Sequence, residues 1–466
     1  MKQIDTPSFD VARWEASRAG LLAAAAERTL AYLEALDERR VAPAPAAVAA
    51  LRAFDEALPE TPSDPQSTFD LLDQIGSPAT VASAGGRFFG FVVGGALPVS
   101  VAAHWLATGW DQNANMTVLS PATCGLENIA ERWLVDLLGL PPGTNCSLVT
   151  GTTTADMVAL LAARQAVLQR HGWDVRVRGL FGAPPLRVLV GEEVHTTMYR
   201  ALSVIGVGEE QIQHVPVDAQ GRMRIEALPA IDAPTIVCVQ AGNVNTGAFD
   251  AIGTICDAVR PAGAWVHVDG AFGLWAAASR ATRHLIAGFE RADSWATDGH
   301  KWLNVPYDSG MAFVRDAEPL KRALAMSAAY LIQDERDPMN TTLEGSRRAR
   351  GVDVWAVLRS LGRQGLEALI DQHCRFARRI ADGLRDAGYR VLNDVQLNQV
   401  LVSFGEAQKT RRIVQRIQSD GTCWGSGTTW QGHAALRISV SSWCTTERDL
   451  DRSLDAILRI AADDTD

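Results

Sequence analysis

The central part of the chain alternates between short apolar runs and longer segments in which apolar residues recur every three or four positions. The short runs are typical of buried β-strands, and the helical spacing between them is typical of amphipathic helices. The runs that predict strands lie at 147–150, 187–190, 213–217, 235–240, 264–268 and 294–297. Strands that alternate with helices indicate a mostly parallel sheet covered on both faces, and we therefore predict an α/β fold for this region.

The segments on either side of this region have different patterns. Residues 11–58 are rich in Ala, Leu, Glu and Arg at helical spacing, but the segment is too short to bury a core of its own. We expect these N-terminal helices to pack on another domain or on a second subunit. After about residue 346, a long helical stretch precedes alternating runs and further helices, which predicts a smaller α+β domain. The predicted organisation is an N-terminal helical segment (1–85), a large domain (86–345) and a small C-terminal domain (346–466).

Composition and charge narrow the class of protein. Of 466 residues, 47% are hydrophobic and 21% are charged, which is typical of a soluble globular protein. A net charge of −10 without a basic run argues against nucleic acid or an anionic membrane as a partner. No apolar run is long enough to span a bilayer, and residues 1–15 lack the apolar core of a signal peptide. The seven cysteines are scattered without a Cys-x-x-Cys pair, which favours a reduced, cytoplasmic location and predicts no metal site.

Polar residues that suit a ligand follow the ends of several predicted strands. In an open α/β sheet, ligands bind outside the carboxyl ends of the strands. Gly151 to Thr154 joins a strand to a helix, where free N–H groups and threonine hydroxyls suit a phosphate, although an ordinary threonine cap has the same sequence. His195 follows the next strand, and it is either a hydrogen-bonded structural residue or a ring that lies flat on an aromatic ligand.

Two further strand ends carry charged residues. Asp269 ends an almost wholly apolar strand, where a carboxylate is costly unless it meets a positive partner such as a protonated pyridine. Lys301 is either a lysine that extends to solvent or an amine whose pKa burial lowers, so that it attacks carbonyl groups. A phosphate turn, a stacking histidine, a buried aspartate and a desolvated lysine, in this order, are the components of a pyridoxal 5'-phosphate (PLP) site.

The chain also resembles a known family, the group II PLP-dependent amino-acid decarboxylases, which include the aromatic amino-acid and glutamate decarboxylases. The similarity extends from about residue 86 to the C-terminus, and its most specific motifs lie at 120–141, 149–164, 192–201, 243–250, 266–273, 296–310 and 352–366. This resemblance implies an aspartate aminotransferase-like (PLP fold type I) large domain with PLP as its cofactor. It also implies a homodimer with the sites at the interface.

The same resemblance implies a role for each residue that would hold the cofactor. Lys301 would form the internal aldimine with PLP, and Asp269 would pair with the pyridine nitrogen. His195 would stack on one face of the ring, and Ala271 would pack on the other. The remaining positions that match cofactor contacts are Thr153, Thr154 and His300 at the phosphate, and Thr246 and Asp298 nearby.

Three residues are candidates for binding the substrate. Arg437 matches an arginine that binds the substrate carboxylate in glutamate decarboxylases, although a surface arginine at a strand edge has the same pattern. Phe88 and Phe89 lie in the glycine-rich segment 84–100, which is either a loop that lines an apolar pocket or a connector with ordinary core aromatics. These residues leave the identity of the amino acid open.

The predicted function is decarboxylation of an L-amino acid to carbon dioxide and an amine. The alternatives at the same site are oxidative deamination to an aldehyde, carbon–carbon lysis and transamination, and from another class a cofactor-binding protein without turnover. The product is open because the resemblance implies a mobile loop whose tyrosine protonates the substrate carbon. The corresponding stretch, 332–345, is short and has no tyrosine, and Tyr330 precedes it.

Overall fold

The structure, a computed structural model, describes residues 9–324, 334 and 336–464. Its α-helices are α1 (Val11–Glu34), α2 (Pro45–Ala50), α3 (Pro65–Leu71), α4 (Ser77–Ala79), α5 (Pro98–Trp110), α6 (Pro121–Leu138), α7 (Thr152–Arg170), α8 (Val175–Arg178), α9 (Thr196–Val204), α10 (Ile252–Val259), α11 (Ala317–Leu324), α12 (Arg350–Asp386), α13 (Ala407–Asp420) and α14 (Glu447–Ala462). Its β-strands are β1 (Asn145–Val149), β2 (Arg187–Gly191), β3 (Ile212–Val215), β4 (Thr235–Gln240), β5 (Trp265–Asp269), β6 (Ser294–Asp298), β7 (Gly310–Val314), β8 (Arg390–Val391), β9 (Gln399–Ser403), β10 (Ser426–Trp430) and β11 (His433–Ser439).

Strands β1 to β7 form one twisted sheet in the order β1-β7-β6-β5-β4-β2-β3. The strands from β2 to β6 pair in parallel, whereas β7 runs antiparallel between β1 and β6. This mostly parallel sheet confirms the predicted fold class. Strand β7 was not predicted, because its apolar run follows a turn directly and has no helix before it to suggest the alternation.

Both faces of the sheet are covered, as a parallel sheet requires. Side chains alternate between the two faces along each strand, so that Trp295 of β6 belongs to one apolar cluster and Ala296 to the other. All five residues of β5 and of β6 are buried. Their carboxylates, Asp269 and Asp298, lie at the carboxyl ends of the strands.

The C-terminal part forms the predicted smaller α+β unit. Its antiparallel sheet has the order β10-β11-β9-β8, and it packs on α13, α14 and the end of α12 through an apolar cluster. The long helix predicted after residue 346 is interrupted at Gly362, whose φ of 59° takes the chain out of helical conformation. The predicted domain boundaries at 85/86 and 345/346 stay a prediction.

The N-terminal helices are largely uncovered. Helix α1 has no buried residue, and its Trp14 is 47% exposed. Helix α5 was not predicted, and it also carries large exposed side chains, including Trp105, Leu106 and Trp110.

Within the described part of the chain, no helix is long and apolar enough to cross a membrane. The seven cysteines are free, and all but Cys444 are buried.

Candidate active site

One cavity of about 780 Å³ lies at the carboxyl ends of the central strands. Its wall includes most of the residues that the sequence predicted for a cofactor site: Thr153, Thr154, His195, Asp269, Ala271, Asp298, His300, Lys301 and Arg437. They come from the loops after β1, β2, β5 and β6 of the large sheet, and from β11 of the C-terminal sheet. The fold therefore assembles in one place residues that are far apart in sequence.

The turn after β1 forms one end of the cavity. Helix α7 begins at Thr152, and the N–H of Thr152 donates to Asp298 Oδ1 at 2.7 Å. The Thr150 and Thr154 hydroxyls are 2.8 Å apart, and the Thr152 hydroxyl is buried without a hydrogen-bond partner. A helix N-terminus with hydroxyls beside it attracts an anion, so this turn suits the phosphate of a cofactor.

His195 stands at the N-terminus of α9, where its side chain caps the helix. The Nδ1 atom accepts the N–H of Thr197 at 3.3 Å and lies 2.7 Å from the Thr197 hydroxyl. Burial lowers the pKa of His195, so the ring is neutral. Since Nδ1 accepts, Nε2 carries the hydrogen, and the ring presents a flat face and one donor to the cavity.

Asp269 is the last residue of β5 and is 6% exposed. Its Oδ1 accepts the N–H of Ala271 at 3.1 Å. Burial raises the pKa of Asp269, while the charge of Lys301 and the hydrogen bond from the Ala271 N–H act in the opposite direction. A buried carboxylate of this kind is stabilised by a cation that enters the cavity, and a protonated pyridine nitrogen is such a cation.

Asp298 and Lys301 form an ion pair at the end of β6. Lys301 Nζ is 2.9 Å from Asp298 Oδ2. Although burial acts to lower it, the Asp298 carboxylate raises the pKa of Lys301 above the ordinary value. The sequence prediction of a lysine whose pKa burial lowers is therefore wrong, because an acidic residue lies three positions before the lysine and pairs with it.

His300 lies between the phosphate turn and the ion pair. Its Nδ1 accepts the N–H of Ser309 at 3.2 Å, so Nε2 carries the hydrogen, 3.7 Å from Asp298 Oδ1. The ring of Tyr307 packs on the His300 ring with 4.3 Å between centroids. Sequence reasoning missed Tyr307, because only the turn that follows Lys301 brings this ring back to the site.

The two predicted substrate-binding phenylalanines do not line the cavity, which corrects the expectation for both. Phe88 stacks on Trp424 with 5.1 Å between centroids, and Phe89 is buried in the core of the C-terminal unit. The wall instead includes Phe91 and Val92 of the same segment. The strands of the C-terminal unit hold this segment, and that contact between distant parts of the chain decides which aromatic faces the cavity.

One predicted cofactor residue of this region differs from expectation. Thr246 is not on the cavity wall: its hydroxyl donates to the Gln220 carbonyl at 2.7 Å, within a buried turn. Its neighbours Val244 and Asn245 line the cavity instead. Gly94, in the glycine-rich segment, packs on the main chain of Lys301, where an added Cβ would lie 1.8 Å from the Lys301 carbonyl oxygen.

Arg437 extends from β11 to the cavity and is 8% exposed. Its Nη1 donates to the Val244 carbonyl at 3.3 Å, and its Nε is buried without a partner. Burial lowers the pKa of Arg437 to about 10. No carboxylate among the described residues is within ion-pair distance of this guanidinium, so the site has an unpaired buried cation that suits a carboxylate ligand.

The predicted loop is only partly within the described residues. Tyr330 and residues 332, 333 and 335 lie outside them. In the described remainder, the Asp337 carboxylate accepts the N–H groups of Thr117 and Asp334, each at 2.8 Å. This part of the loop is therefore attached to the segment that precedes α6.

The residues of the cavity fit PLP. The anion site at α7, the neutral ring of His195, the buried carboxylate of Asp269 and the amine of Lys301 match the phosphate, ring face, pyridine nitrogen and aldehyde of this cofactor. The fold and the site therefore define a PLP-dependent enzyme of the aspartate aminotransferase-like fold.

The chain belongs to the pyridoxal-dependent decarboxylase family, because the model of its conserved domain matches residues 48–405. It is therefore a PLP-dependent carboxy-lyase that acts on an amino acid. Among curated relatives, tryptophan decarboxylase 1 of Oryza sativa subsp. japonica is 28% identical over 76% of each chain. An aromatic-L-amino-acid decarboxylase of Bacillus atrophaeus is 26% identical over 85% of each chain. Cysteine sulfinic acid decarboxylase of Mus musculus is 28% identical over 64% of this chain and 63% of its own length.

Solved structures share the fold over nearly the whole chain. The Oryza sativa tryptophan decarboxylase with PLP and tryptamine has a TM-score of 0.88 at 22% identity, covering 98% of this chain and 99% of the other. Mouse cysteine sulfinic acid decarboxylase has a TM-score of 0.87 at 22% identity, covering 98% and 100%. A 4-hydroxyphenylacetaldehyde synthase of Rhodiola rosea has a TM-score of 0.82 at 20% identity, covering 97% and 99%.

Proposed function

We propose that this enzyme decarboxylates an L-amino acid to carbon dioxide and the corresponding amine, with Lys301 as the residue that bonds covalently to PLP. The observation that carries this proposal is the single cavity that unites the Lys301 amine, the buried Asp269 carboxylate and the unpaired Arg437 guanidinium. These groups are what an amino-acid decarboxylase of this kind needs: an attachment point, a partner for the ring and a group that binds a substrate carboxylate.

The protein residues determine how the cofactor is held. When bound, PLP supplies a protonated ring that accepts the electron pair left on the α carbon as carbon dioxide leaves. Asp269 keeps the ring nitrogen protonated, because its buried carboxylate is itself stabilised only by a cation. His195 and Ala271 enclose the ring, and His195 Nε2 donates a hydrogen bond towards the substrate carboxylate, which fixes the orientation of the bond that breaks.

Arg437 binds a carboxylate of the substrate. A guanidinium forms two parallel hydrogen bonds with a carboxylate, and Nε, which is buried without a partner, is available for one of them. The relatives include enzymes named for tryptophan and for cysteine sulfinic acid at the same 28% identity, so they do not select between an aromatic and an acidic substrate. Whether Arg437 binds the α-carboxylate or a side-chain carboxylate determines the substrate class.

We also infer a homodimer in which the second copy covers the mouth of the cavity. Phe91, on the cavity wall, is 61% exposed in the single chain, and Tyr307, beside His300, is 60% exposed. Large aromatic side chains at the mouth of an active site are stabilised when a partner surface buries them. A cytoplasmic location is supported by the seven free cysteines, because a reducing compartment keeps thiols unpaired.

The experiment is a panel of L-amino acids incubated with the holoenzyme, with carbon dioxide, amine, aldehyde and keto acid measured together by mass spectrometry. We expect carbon dioxide and amine in equal amounts from at least one amino acid, and neither product with Lys301→Ala. Lys321→Ala is the matched control, because this lysine lies on α11, outside the cavity. Aldehyde with peroxide, or a reaction that requires a keto acid, would replace the proposal by the corresponding alternative. A cofactor absorbance that no amino acid changes would indicate binding without turnover.

A further inference from the structure

Asp298 is a buried carboxylate that contacts several groups of the site at once. Its side chain is 4% exposed. Oδ1 accepts the N–H of Thr152 at 2.7 Å and lies 3.7 Å from His300 Nε2, while Oδ2 lies 2.9 Å from Lys301 Nζ. An isolated carboxylate at this depth would be neutral, but these hydrogen-bond donors and the Lys301 cation stabilise its ionised form.

The charge balance of the pair follows from these contacts. Although burial acts to raise it, the charge of Lys301 and the hydrogen bonds from Lys301 and Thr152 hold the pKa of Asp298 below the ordinary value. The carboxylate in turn raises the pKa of Lys301. The free amine of Lys301 is therefore held as an ammonium ion against an aspartate anion.

The reaction needs an acid after carbon dioxide leaves, because the α carbon must take up one proton. The stretch 332–345 contains no tyrosine to supply it. We propose that Asp298 is a positioning residue that holds Lys301 as an ammonium ion once the substrate has displaced it from PLP, and that this ammonium protonates the α carbon. The inference rests on the proposed function, and it assigns to Lys301 a second task after attachment of the cofactor.

The protons balance without an outside acid during the chemical step. The substrate nitrogen enters as an ammonium and gives up two hydrogens when it takes the place of Lys301, and the lysine nitrogen gains two, so it leaves as an ammonium. The α carbon loses carbon dioxide, retains the electron pair and takes one proton from Lys301 Nζ. The neutral amine of Lys301 then displaces the product, whose amine takes one proton from water on release.

The other titratable groups that face Lys301 are less suited to this step. His195 is a neutral ring whose Nδ1 is held by Thr197, and His300 directs its Nε2 towards Asp298. Asp269 is the partner of the ring nitrogen, and Arg437 is bound to the substrate in the proposed function. Among the residues that the structure describes, Tyr307 is the remaining candidate, and its substitution by Phe distinguishes the two donors in the experiment below.

The first test measures the ammonium itself, independently of turnover. The chain has only four lysines, at positions 2, 301, 321 and 409, so lysine labelled with ¹³C at the ε carbon gives four resolvable signals in the full-length protein freed of cofactor. We expect the Lys301 signal, assigned by its loss in Lys301→Arg, to titrate above free lysine in the wild type. In Asp298→Asn we expect its midpoint to fall by at least about one pH unit, since burial then acts without the carboxylate.

The matched control is Asp293→Asn. Asp293 is also buried and ion-paired, with Arg260 at 2.9 Å, but it lies just before β6, at the opposite end of the strand from the cavity. We expect this variant to leave the Lys301 midpoint unchanged. Thermal unfolding of both variants checks that they fold. If Asp298→Asn does not fold, the wild type alone still tests the proposal, because a Lys301 midpoint at or below that of free lysine would overturn it.

The second test measures how the products divide. For an amino acid that the wild type decarboxylates, we expect Asp298→Asn to lower the rate of amine formation at least about tenfold and to raise the share of aldehyde, because the unprotonated carbanion reacts with oxygen. An unchanged amine share, or a loss of amine only in Tyr307→Phe, would overturn the inference while leaving the proposed function intact. If no amino acid released carbon dioxide, the proposed function would be refuted. The lysine titration would still measure the effect of Asp298 on Lys301, because it does not depend on turnover.

Discussion

Three charged side chains of this site are buried so deeply that burial disfavours the charged form of each. Asp269, Asp298 and Arg437 are each at most 8% exposed, and burial shifts the pKa of each towards its neutral form. Asp298 is compensated within the protein by Lys301, whereas Asp269 and Arg437 face the cavity. The uncompensated charges therefore indicate which parts of the cofactor and the substrate are charged, and of which sign.

Arg437 gives a prediction at this scale. We expect Arg437→Gln to raise KM roughly 10-fold to 150-fold, since a charge-assisted hydrogen bond contributes about 1.5–3 kcal/mol. Arg437→Lys is the matched control, because it keeps the charge but not the paired donors. We also expect the thermal midpoint of the glutamine variant to stay the same or rise, because the variant removes an unpaired buried charge. A large loss of stability with an unchanged KM would mean that the arginine is structural.

The same variant identifies the substrate class. If Arg437 binds the α-carboxylate, KM rises for every amino acid that the enzyme accepts. If it binds a side-chain carboxylate, the preference for acidic over neutral amino acids is lost instead. The ratio of kcat/KM for an acidic and a neutral substrate of similar size separates the two results.

At the scale of elements, close contacts between main chains position the site. Gly94 packs on the main chain of Lys301, and Gly310 of β7 packs on Gly151 at the start of α7, where an added Cβ would lie 2.4 Å from the Gly151 Cα. Side chains at these positions would push the lysine or the phosphate turn out of place. The sequence left two alternatives for the glycine-rich segment, a loop that lines the pocket and a connector. The segment combines both, because it forms part of the cavity wall and also packs tightly on other main chains.

We predict that Gly94→Ala destabilises the fold and weakens PLP binding. Overpacking of this kind costs about 1–3 kcal/mol, and the neighbour is a main-chain oxygen that cannot rotate away. The control is Gly208→Ala, because the nearest atom to its added Cβ is the end of a glutamine side chain at 3.6 Å. Denaturant unfolding and absorbance titration with PLP measure the two effects, and equal behaviour of the two variants would contradict the prediction.

His373 of α12 connects the two units of the chain. Its Nδ1 accepts the indole N–H of Trp302 at 2.8 Å, and its Nε2–H donates to the Ser442 carbonyl at 3.0 Å. Burial lowers the pKa of His373 from 6.5 to about 4. Protonation would place a second hydrogen against the Trp302 N–H, so the folded state requires the neutral ring.

The pH dependence of stability follows from this pKa. The unfolded chain binds a proton at this histidine below about pH 6.5, and the folded chain does so only near pH 4, so stability is complete above 6.5 and falls as the pH decreases. We expect a contribution of about 1.4 kcal/mol per pH unit across this window. In His373→Gln, whose amide can keep both hydrogen bonds, the slope of unfolding free energy against pH should decrease by this amount. An unchanged slope would refute the assignment.

At the scale of the whole molecule, several large apolar side chains between residues 91 and 119 are exposed. Leu106 of α5 is 59% exposed, Leu119 just before α6 is 51% exposed, and Phe91 at the mouth is 61% exposed. The chain covers its large sheet on both faces, yet it leaves these side chains uncovered. A second copy of the chain is the occupant that the proposed function assigns to this surface.

We predict that the wild type is a dimer by light scattering. The double variant Leu106→Glu/Leu119→Glu should be a monomer without decarboxylase activity. Two buried like charges on each copy oppose each other and lose their hydration, which disfavours association. The control is Phe181→Glu, because Phe181 is 98% exposed between α8 and β2, away from this surface. A wild-type monomer with full activity would contradict the prediction.

The large sheet was predictable because its signals are local. The run 235–240 is apolar from 236 to 239, and only a strand in the middle of a covered sheet buries every residue of such a run. The spacing of strands and helices then predicts the parallel arrangement and places His195, Asp269 and Lys301 at one edge of the sheet. Strand β7 was missed because its antiparallel pairing leaves no mark in the period of its own residues.

The sequence by itself determined the fold class, the order of the strand-end residues and, through the motifs, the cofactor and the reaction class. Only the tertiary structure decided that Phe91, rather than Phe88 or Phe89, faces the cavity, and that Thr246 supports a turn. It also decided that the pKa of Lys301 is raised by Asp298 and not lowered by burial. The physical reason is the same in each case. Periodicity reports which side of an element is buried, whereas a pKa, a free guanidinium or a ring at a cavity wall depends on atoms that folding brings from distant parts of the chain.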